Sequence, residues 1–295
     1  MTPFWRPFLA LLAIIAICPL SARAADTVLE PSDKWVLNYA NDSCRLARAF
    51  GTDDEKVVLI LDQYQPAGVM DLSLVGKRFK RFAVPRVPVS VTFGPGLPAG
   101  ELRDGITGTL GPENTAIVMT GPRDILNRST SRRAAGTFEE MQQSTAEQEE
   151  AITEAHIAVS SMRFSLHTGS MKAPLGAMRT CMASLVRDWG LDPAQQYALV
   201  RHVAPKGAPG NWLTSVDYPK GALAKGANAI VRFRLMVGAD GMPSQCFVQQ
   251  ATMSPDFIKL TCDLLMKRAR FSPALDAFSK PIASFYTNAV RWLTP

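Results

Sequence analysis

The chain has 295 residues, of which 47% are apolar and 20% are charged, a composition typical of a folded protein and too apolar for a disordered one. Glycine and proline together supply 41 residues, which excludes a collagen-like or low-complexity chain. The net charge of +6 is modest, so we expect no nucleic-acid partner. The length favours two domains.

The first 24 residues have the pattern of a signal peptide. Arg6 precedes an apolar run at residues 8–20, and Ala22-Arg23-Ala24 is typical of a signal-peptidase site. As a helix this run spans only about 20 Å, against about 30 Å of membrane core. We therefore predict cleavage after Ala24 and export to the periplasm or the medium. The alternatives are an uncleaved inner-membrane anchor that faces the periplasm and, less favoured, lipid attachment at Cys18.

Four cysteines remain after cleavage: Cys44, Cys181, Cys246 and Cys262. An even number in an exported protein predicts two disulfides, for which three pairings exist. Because Cys246 and Cys262 lie close together while Cys44 and Cys181 bracket the rest of the chain, we expect each pair to cross-link its own domain. The alternative is a zinc site, but the sequence has no C-x-x-C pair and its three histidines are scattered.

Residues 25–190 are predicted to form an α+β domain that is rich in strands and closed by a helix. Runs rich in β-forming residues at 35–37, 57–61 and 87–93 are separated by clusters of turn residues. Residues 94–135 contain many turn residues and only weak strands. The sequence does not indicate a role for this domain.

The rest of this domain is predicted to contain a surface helix, a strand and a closing helix. Residues 138–154 are polar and acidic, which favours a surface helix, and residues 157–166 are then expected to return as one strand. Across residues 175–189 the apolar side chains recur at helical spacing, and Gly190 ends the pattern. This is the clearest helix in the sequence.

A stretch rich in proline and glycine, residues 191–215, is predicted to link this domain to a second one at residues 216–295. Residues 216–295 hold ten Lys and Arg against five Asp and Glu, whereas residues 25–215 have a net charge of −1. A modest basic excess in an exported domain suits an acidic surface or peptide.

The second domain has a sharper pattern. Apolar residues at every second position of 231–237 alternate with two arginines and a methionine, as in a strand with one buried face. Asp240-Gly241 predicts a hairpin turn, and residues 244–250 form the returning strand. A helix over residues 254–265 and a last strand at 282–292 follow. With a short helix before the first strand, this order predicts a small α+β domain with a three-stranded antiparallel sheet and two helices.

Together these elements resemble the TonB C-terminal domain family. The matching features are Tyr218-Pro219, a small-residue helix that ends at Gly226, the Asp240-Gly241 turn, an amphipathic helix, and Phe271 followed by Pro273-Ala274. The resemblance covers residues 216–292, about a quarter of the chain.

The resemblance implies a periplasmic protein-binding module, in which an extended peptide pairs with an exposed sheet edge. The candidate edge is residues 283–291, and the alternative is that this strand only completes the core of the domain. The residues implied in partner binding are Tyr218, Pro219, Ser284, Tyr286, Asn288 and Val290. The implied partner is an envelope protein or extended peptide, such as a segment of an outer-membrane transporter.

With the signal peptide, these features predict an exported, non-catalytic binding protein that uses no cofactor or metal. One alternative is a membrane-anchored TonB-like energy transducer for outer-membrane transport, which needs a retained anchor and a longer Pro-rich spacer than residues 191–215 provide. The other is an exported envelope enzyme with its site in residues 25–190. The oligomeric state and the identity of the partner are not predicted.

Motifs for catalysis are weak in this sequence. It has no G-x-S-x-G and no Ser three residues before a Lys, which are the common serine-hydrolase signatures. His156, His167 and His202 are spaced as surface or structural residues. Gly94-Pro95-Gly96 begins a formal match to a dinucleotide-binding loop, but prolines remove the N–H groups that a pyrophosphate needs. The acidic residues within 139–154 lack the spacing of a calcium loop and are predicted to form a solvated helix face.

Overall fold

The computed structural model of this chain shows a mixed, β-rich fold built around one large sheet. The predicted signal peptide lies outside the residues that it describes. The described residues are 27–82, 84–113, 115–128, 143–251 and 255–294. Among them, no helix combines the length and the apolar character that a membrane span requires.

Ten strands of the N-terminal part form the large sheet. They are β1 (Thr27–Leu29), β2 (Val36–Tyr39), β3 (Cys44–Phe50), β4 (Val57–Gln63), β5 (Val69–Val75), β6 (Arg86–Gly94), β7 (Arg103–Leu110), β8 (Thr115–Asp124), β9 (Glu154–Val159) and β10 (Met162–Leu166). Their order across the sheet is β1-β10-β9-β6-β7-β8-β5-β4-β3-β2. Alternate side chains of most strands are apolar and buried, so one side of the sheet faces a common core.

The first strand closes this sheet on itself. β1 runs parallel to β10, and directly after it Pro31 bridges to Phe50 at the end of β3. The backbone N–H of Ser32 also donates to the carbonyl of Ala49 at 3.0 Å. Because β3 lies next to the opposite edge of the sheet, this segment joins the two ends and encloses the core.

Within the described residues of the N-terminal part lie the helices α1 (Ala146–Ala151) and α2 (Lys172–Asp188). The helix predicted before Gly190 is confirmed as α2, and its apolar face is buried in the same core as the sheet. Gly190 follows it with a φ of +79°. Cys181 on α2 is bonded to Cys44 at the start of β3, which pins the helix to the sheet with the expected pairing.

Three expectations for this part are wrong in detail. Residues 94–135 hold two long antiparallel strands, β7 and β8, whose glycines and proline mask the strand pattern. Residues 157–166 do not form one strand, because β9 and β10 are a hairpin that turns at Ser160, whose φ is +54°. Of the polar helix expected over 138–154, the described residues 143–154 are helical only across the six residues of α1, and residues 129–142 lie outside the described part.

Residues 191–215, predicted as a linker, contain a short helix and a short strand. These are α3 (Pro193–Tyr197) and β11 (Ala204–Pro205), which pairs with a short strand of the C-terminal part. Trp212 is buried, with its ring edge-on to that of Tyr286. The segment is therefore packed onto the C-terminal part.

The C-terminal part is built on a three-stranded antiparallel sheet. Its elements are α4 (Lys220–Leu223), β12 (Ala229–Val237), β13 (Pro243–Ala251), α5 (Pro255–Arg268), β14 (Phe271–Ser272), β15 (Ala274–Leu275), β16 (Pro281–Ile282) and β17 (Ser284–Trp292). The sheet has the order β13-β12-β17, and α5 packs on one of its faces. Cys246 on β13 is bonded to Cys262 on α5, again the expected pairing.

Candidate functional site

The arginine face of β12 is buried between the two parts of the chain. The apolar face of this strand packs towards α5, as the alternation predicts. The opposite face, with Arg232 and Arg234, lies against the N-terminal part, and Arg234 is only 2% exposed. On the neighbouring β17, the ring of Phe285 packs edge-on against Trp189, with the centroids 5.2 Å apart.

Arg234 is held at the centre of this interface by one carboxylate and two aromatic rings. Its Nη1 donates to Oδ1 of Asp42 at 2.5 Å. Its guanidinium carbon lies 4.0 Å from the ring centroid of Trp189 and 4.5 Å from that of Phe247. Burial lowers the pKa of Arg234, and the Asp42 carboxylate opposes that shift.

A second arginine contact lies beside the first. Arg232 forms an ion pair with Asp71, and its guanidinium carbon lies 4.5 Å from the ring centroid of Tyr64. The Tyr64 hydroxyl donates to Oε1 of Gln250 at 3.0 Å, which ties β13 to the N-terminal part. Burial raises the pKa of Tyr64 to about 12, so this hydroxyl keeps its proton.

The carboxylates of this network are matched by arginines. Asp62 and Asp71 stand directly opposite each other on β4 and β5, where two like charges repel. Arg45 donates two hydrogen bonds of 2.7 and 2.9 Å to Asp62, and Arg232 forms an ion pair with Asp71. Burial raises the pKa of Asp71, and Arg232 opposes that rise. Both carboxylates therefore have a fixed cation, and the network links β4 and β5 to β12.

Beyond these contacts the two sheets separate and leave a cleft of about 550 Å³. One wall is the outer face of β4, β5, β7 and β8, and the other is formed by β12 and β17. The apolar lining comes from Ile106, Met119 and Pro122 on the first wall and from Ile230 and Leu293 on the second. Asp104 and Arg291 also line it, and neither side chain has a polar partner within the described part of the chain. Its size and its mixture of apolar and polar groups are typical of a ligand site.

The backbone of β17 has one unpaired side. The N–H of Gly238 donates to the carbonyl of Met242, so the even-numbered residues of β12 point their backbone groups towards β13. The backbone groups of the odd-numbered residues of β12 therefore bond to β17, in which each of these residues lies opposite an even-numbered one. This leaves the odd-numbered residues of 285–291 pointing outwards, and the N–H of Ala289 indeed donates to Oδ1 of Asn288 at 2.8 Å. Within the described residues, no strand pairs with this outer edge.

The two halves of the outer edge have different surroundings. At its start, the side-chain amide of Gln196 donates to the carbonyl of Ala283, and the Ser284 hydroxyl donates to Oε1 of Gln196. Along residues 287–291 the edge opens onto a second cavity of about 230 Å³. This cavity and the cleft share lining residues on both walls, including Tyr64, Asp71, Pro122, Ala289 and Arg291. The open half of the edge is therefore the half that faces the cleft.

Four of the predicted binding residues, Ser284, Tyr286, Asn288 and Val290, lie together on β17, at the positions that face α5 rather than the cleft. Tyr286 is buried in the core of the C-terminal part, and Val290 packs against that core. The side-chain amide of Asn288 donates to the Tyr286 hydroxyl at 2.8 Å.

The other two predicted residues lie at the far end of this strand. The ring of Tyr218 packs edge-on against Phe257 and Trp292, and its hydroxyl donates to the carbonyl of Ala227. Pro219 directly precedes α4. Tyr218 and Pro219 are thus part of the framework that holds the end of β17, and their contact with a partner stays a prediction.

Other residues that sequence analysis considered for chemistry have local partners. The ring nitrogens of His156 lie 2.7 Å from the Ser165 hydroxyl and 3.1 Å from Glu154, and His167 lies 2.8 Å from Glu30. Among the described residues, no group of three or more His, Cys, Asp or Glu side chains is placed to hold a metal ion.

The acidic helix is not wholly solvated as expected. Glu149 in α1 is fully buried, where it forms an ion pair with Arg179 of α2 and accepts a hydrogen bond of 2.6 Å from the Ser144 hydroxyl. A buried carboxylate is stable only with such partners. The sequence does not reveal this pair, because Arg179 is distant in sequence.

On the face of β17 that borders the two cavities, Ala289 and Arg291 line the cleft, and Thr287 is buried beside them with its hydroxyl donating to Gln65; these three are here called the cleft face. They are not among the residues predicted for partner binding, because nothing in the sequence indicates a second wall. No protein-family model matches this sequence, and no curated protein matches it significantly. The function is therefore inferred from the residues and their geometry.

Proposed function

We propose that this chain is an exported, non-catalytic protein that binds an extended segment of a protein or peptide by adding it as a strand to β17. The observation that carries the proposal is the unpaired outer side of this strand at residues 287–291, which opens onto the cleft between the two parts. The resemblance of residues 216–292 to the TonB C-terminal domain family supports the same mode of binding.

The physical basis is the set of backbone groups that β17 leaves unpaired. A peptide strand laid along the outer edge would accept from the outward N–H groups and donate to the outward carbonyls, which is the source of affinity in strand addition. At Ala289 the N–H is satisfied by the neighbouring Asn288 side chain, which a peptide carbonyl can replace. Because the first half of the edge is covered, the peptide would begin at about Thr287.

The location of this binding is proposed to be the periplasm. Two disulfides indicate an oxidising environment such as that outside the cytoplasm, and the N-terminal 24 residues have the pattern of a signal peptide. In that compartment the proposed partner is an envelope protein with an extended segment, such as an outer-membrane transporter.

The test uses two substitutions at one position. Ala289→Pro removes an outward N–H and leaves the hydrogen bonds between β12 and β17 intact, whereas Ala289→Ser keeps that N–H. A display library of short random peptides is selected against the exported protein, and the affinities of the enriched peptides are measured for both variants. We expect Ala289→Pro to weaken binding by about tenfold or more and Ala289→Ser to leave it unchanged. Equal binding to both variants, or no enrichment of any peptide, would show that the proposal is wrong.

A further inference from the structure

We propose that the cleft makes this binding selective for one pattern of side chains: an acidic residue two positions from a large apolar residue. This inference rests on the proposed function, because it concerns the side chains of the same added strand. It assigns to the N-terminal part a role in selecting the peptide, as the second wall of the site.

The spacing of two comes from strand geometry. Ala289 and Arg291 lie two residues apart on β17, and both side chains point to the face that lines the cleft. In an added strand, the residues beside these two positions also lie two apart and point to the same face. That face is opposed by the outer face of the large sheet, so these two peptide side chains would be enclosed.

The position beside Ala289 favours a large apolar side chain. Alanine is the smallest residue of the cleft face, and the space next to it is bounded on the opposite wall by Tyr64, Val69 and Pro122. A side chain such as Leu or Phe placed there would occupy part of the cavity of about 230 Å³ and bury apolar surface against these residues, which is favourable.

The position beside Arg291 favours a carboxylate. Of the three arginines that line the cleft, Arg232 is paired with Asp71 and Arg103 with Glu101, whereas Arg291 is exposed and has no polar partner among the described residues. Its charge is therefore available to a ligand.

The opposite wall adds to this selectivity. Asp104 also lines the cleft without a polar partner in the described part of the chain, so a further acidic residue that points towards that wall would be repelled. Charge complementarity thus favours a single acidic position in the peptide, beside Arg291.

The experiment uses short threonine-rich peptides that carry Glu and Leu two positions apart, in both orders. Matched peptides replace Glu by Lys or Leu by Ala, and all are measured by fluorescence anisotropy against the exported protein. We expect the Glu and Leu peptide to bind about fivefold more tightly than either replacement. Arg291→Glu should reverse the preference between Glu and Lys, and Ala289→Leu, which fills the space but keeps the backbone N–H, should remove the advantage of Leu over Ala.

Lys280→Glu is the matched control, because it reverses an exposed positive charge of the same domain outside the cleft lining. If Ala289→Pro abolishes binding while Arg291→Glu and Ala289→Leu behave like the control, strand addition holds and the inferred selectivity is wrong. If Arg291→Glu reverses the preference while Ala289→Pro has no effect, the cleft selects peptides without strand addition, and the proposed function is wrong. If no peptide binds, both are wrong.

Discussion

Replacing Asp42 by Asn leaves the Arg234 guanidinium buried at the centre of the interface without its counter-ion. Removing one partner of a buried ion pair costs about 3–5 kcal/mol, because the remaining charge is uncompensated. Since the Asp42 side chain is 25% exposed and water can take part of its place, we expect the lower end of that range, about 3 kcal/mol.

The double variant Asp42→Asn with Arg234→Met separates the ion pair from simple packing. Methionine removes the charge and keeps much of the apolar volume, so its main loss is the contact of the cation with two rings, about 1–2 kcal/mol. The double variant should therefore be more stable than Asp42→Asn alone. If the destabilising effects of the two substitutions were additive, the double variant would instead be less stable than Asp42→Asn alone.

Urea unfolding followed by circular dichroism measures the free energy of unfolding of Asp42→Asn, of Arg234→Met and of the double variant. We expect the midpoint of Asp42→Asn to fall the most and that of the double variant to lie between it and the parent protein. A neutral Asp42→Asn, or a double variant that equals the sum of the two single variants, would refute the account of Arg234 as a charge held by this interface.

Three further predictions concern the C-terminal part. Asp217 accepts two hydrogen bonds from Arg268, which hold the pKa of the Asp217 carboxyl well below its usual range. The stability that this pair adds to the fold is therefore present above about pH 4 and is lost as the pH falls further. Asp217→Asn should lower the melting temperature at pH 7 and have a much smaller effect near pH 2. Cys246→Ser should cost about 3 kcal/mol in urea unfolding, as expected for a short closed loop. Gly241→Ala should cost at least about 1 kcal/mol in the same assay, because Gly241 has a φ of +80° and an added Cβ would lie 2.1 Å from a backbone oxygen.

The elements with strong local patterns could be predicted from the sequence. The apolar repeat across residues 175–189 predicted α2, and the alternation at 231–237 predicted β12, because each period is set by the geometry of the element itself. The two disulfides could be predicted because the spacing of the four cysteines favoured one pairing.

The arrangement of the large sheet could not be predicted. β1 lies beside β10, more than a hundred residues away, and a pairing of that kind leaves no local signal. The hairpin of β9 and β10 was missed because its turn is two serines, which are also tolerated within a strand.

The candidate site was predicted only in part. The residues predicted from the sequence lie on β17, the strand that borders the cleft, but their side chains are on the face that packs against the core. A strand with apolar and arginine faces looks the same in sequence whether the arginines face water or a second domain. The contacts of Arg232 and Arg234 with Asp71 and Asp42 depend on how the two parts pack, so the cleft between them was not foreseen.

Amide hydrogen exchange along β17 tests strand addition most directly, and it can be read residue by residue by NMR. The measurement compares the protein alone with the protein saturated with an enriched peptide. The account predicts that the outward amides of Thr287, Ala289 and Arg291 slow by about tenfold or more, while those of Asn288 and Val290, already bonded to β12, do not change. Unchanged exchange at the three outward amides, with protection elsewhere in the chain, would contradict it.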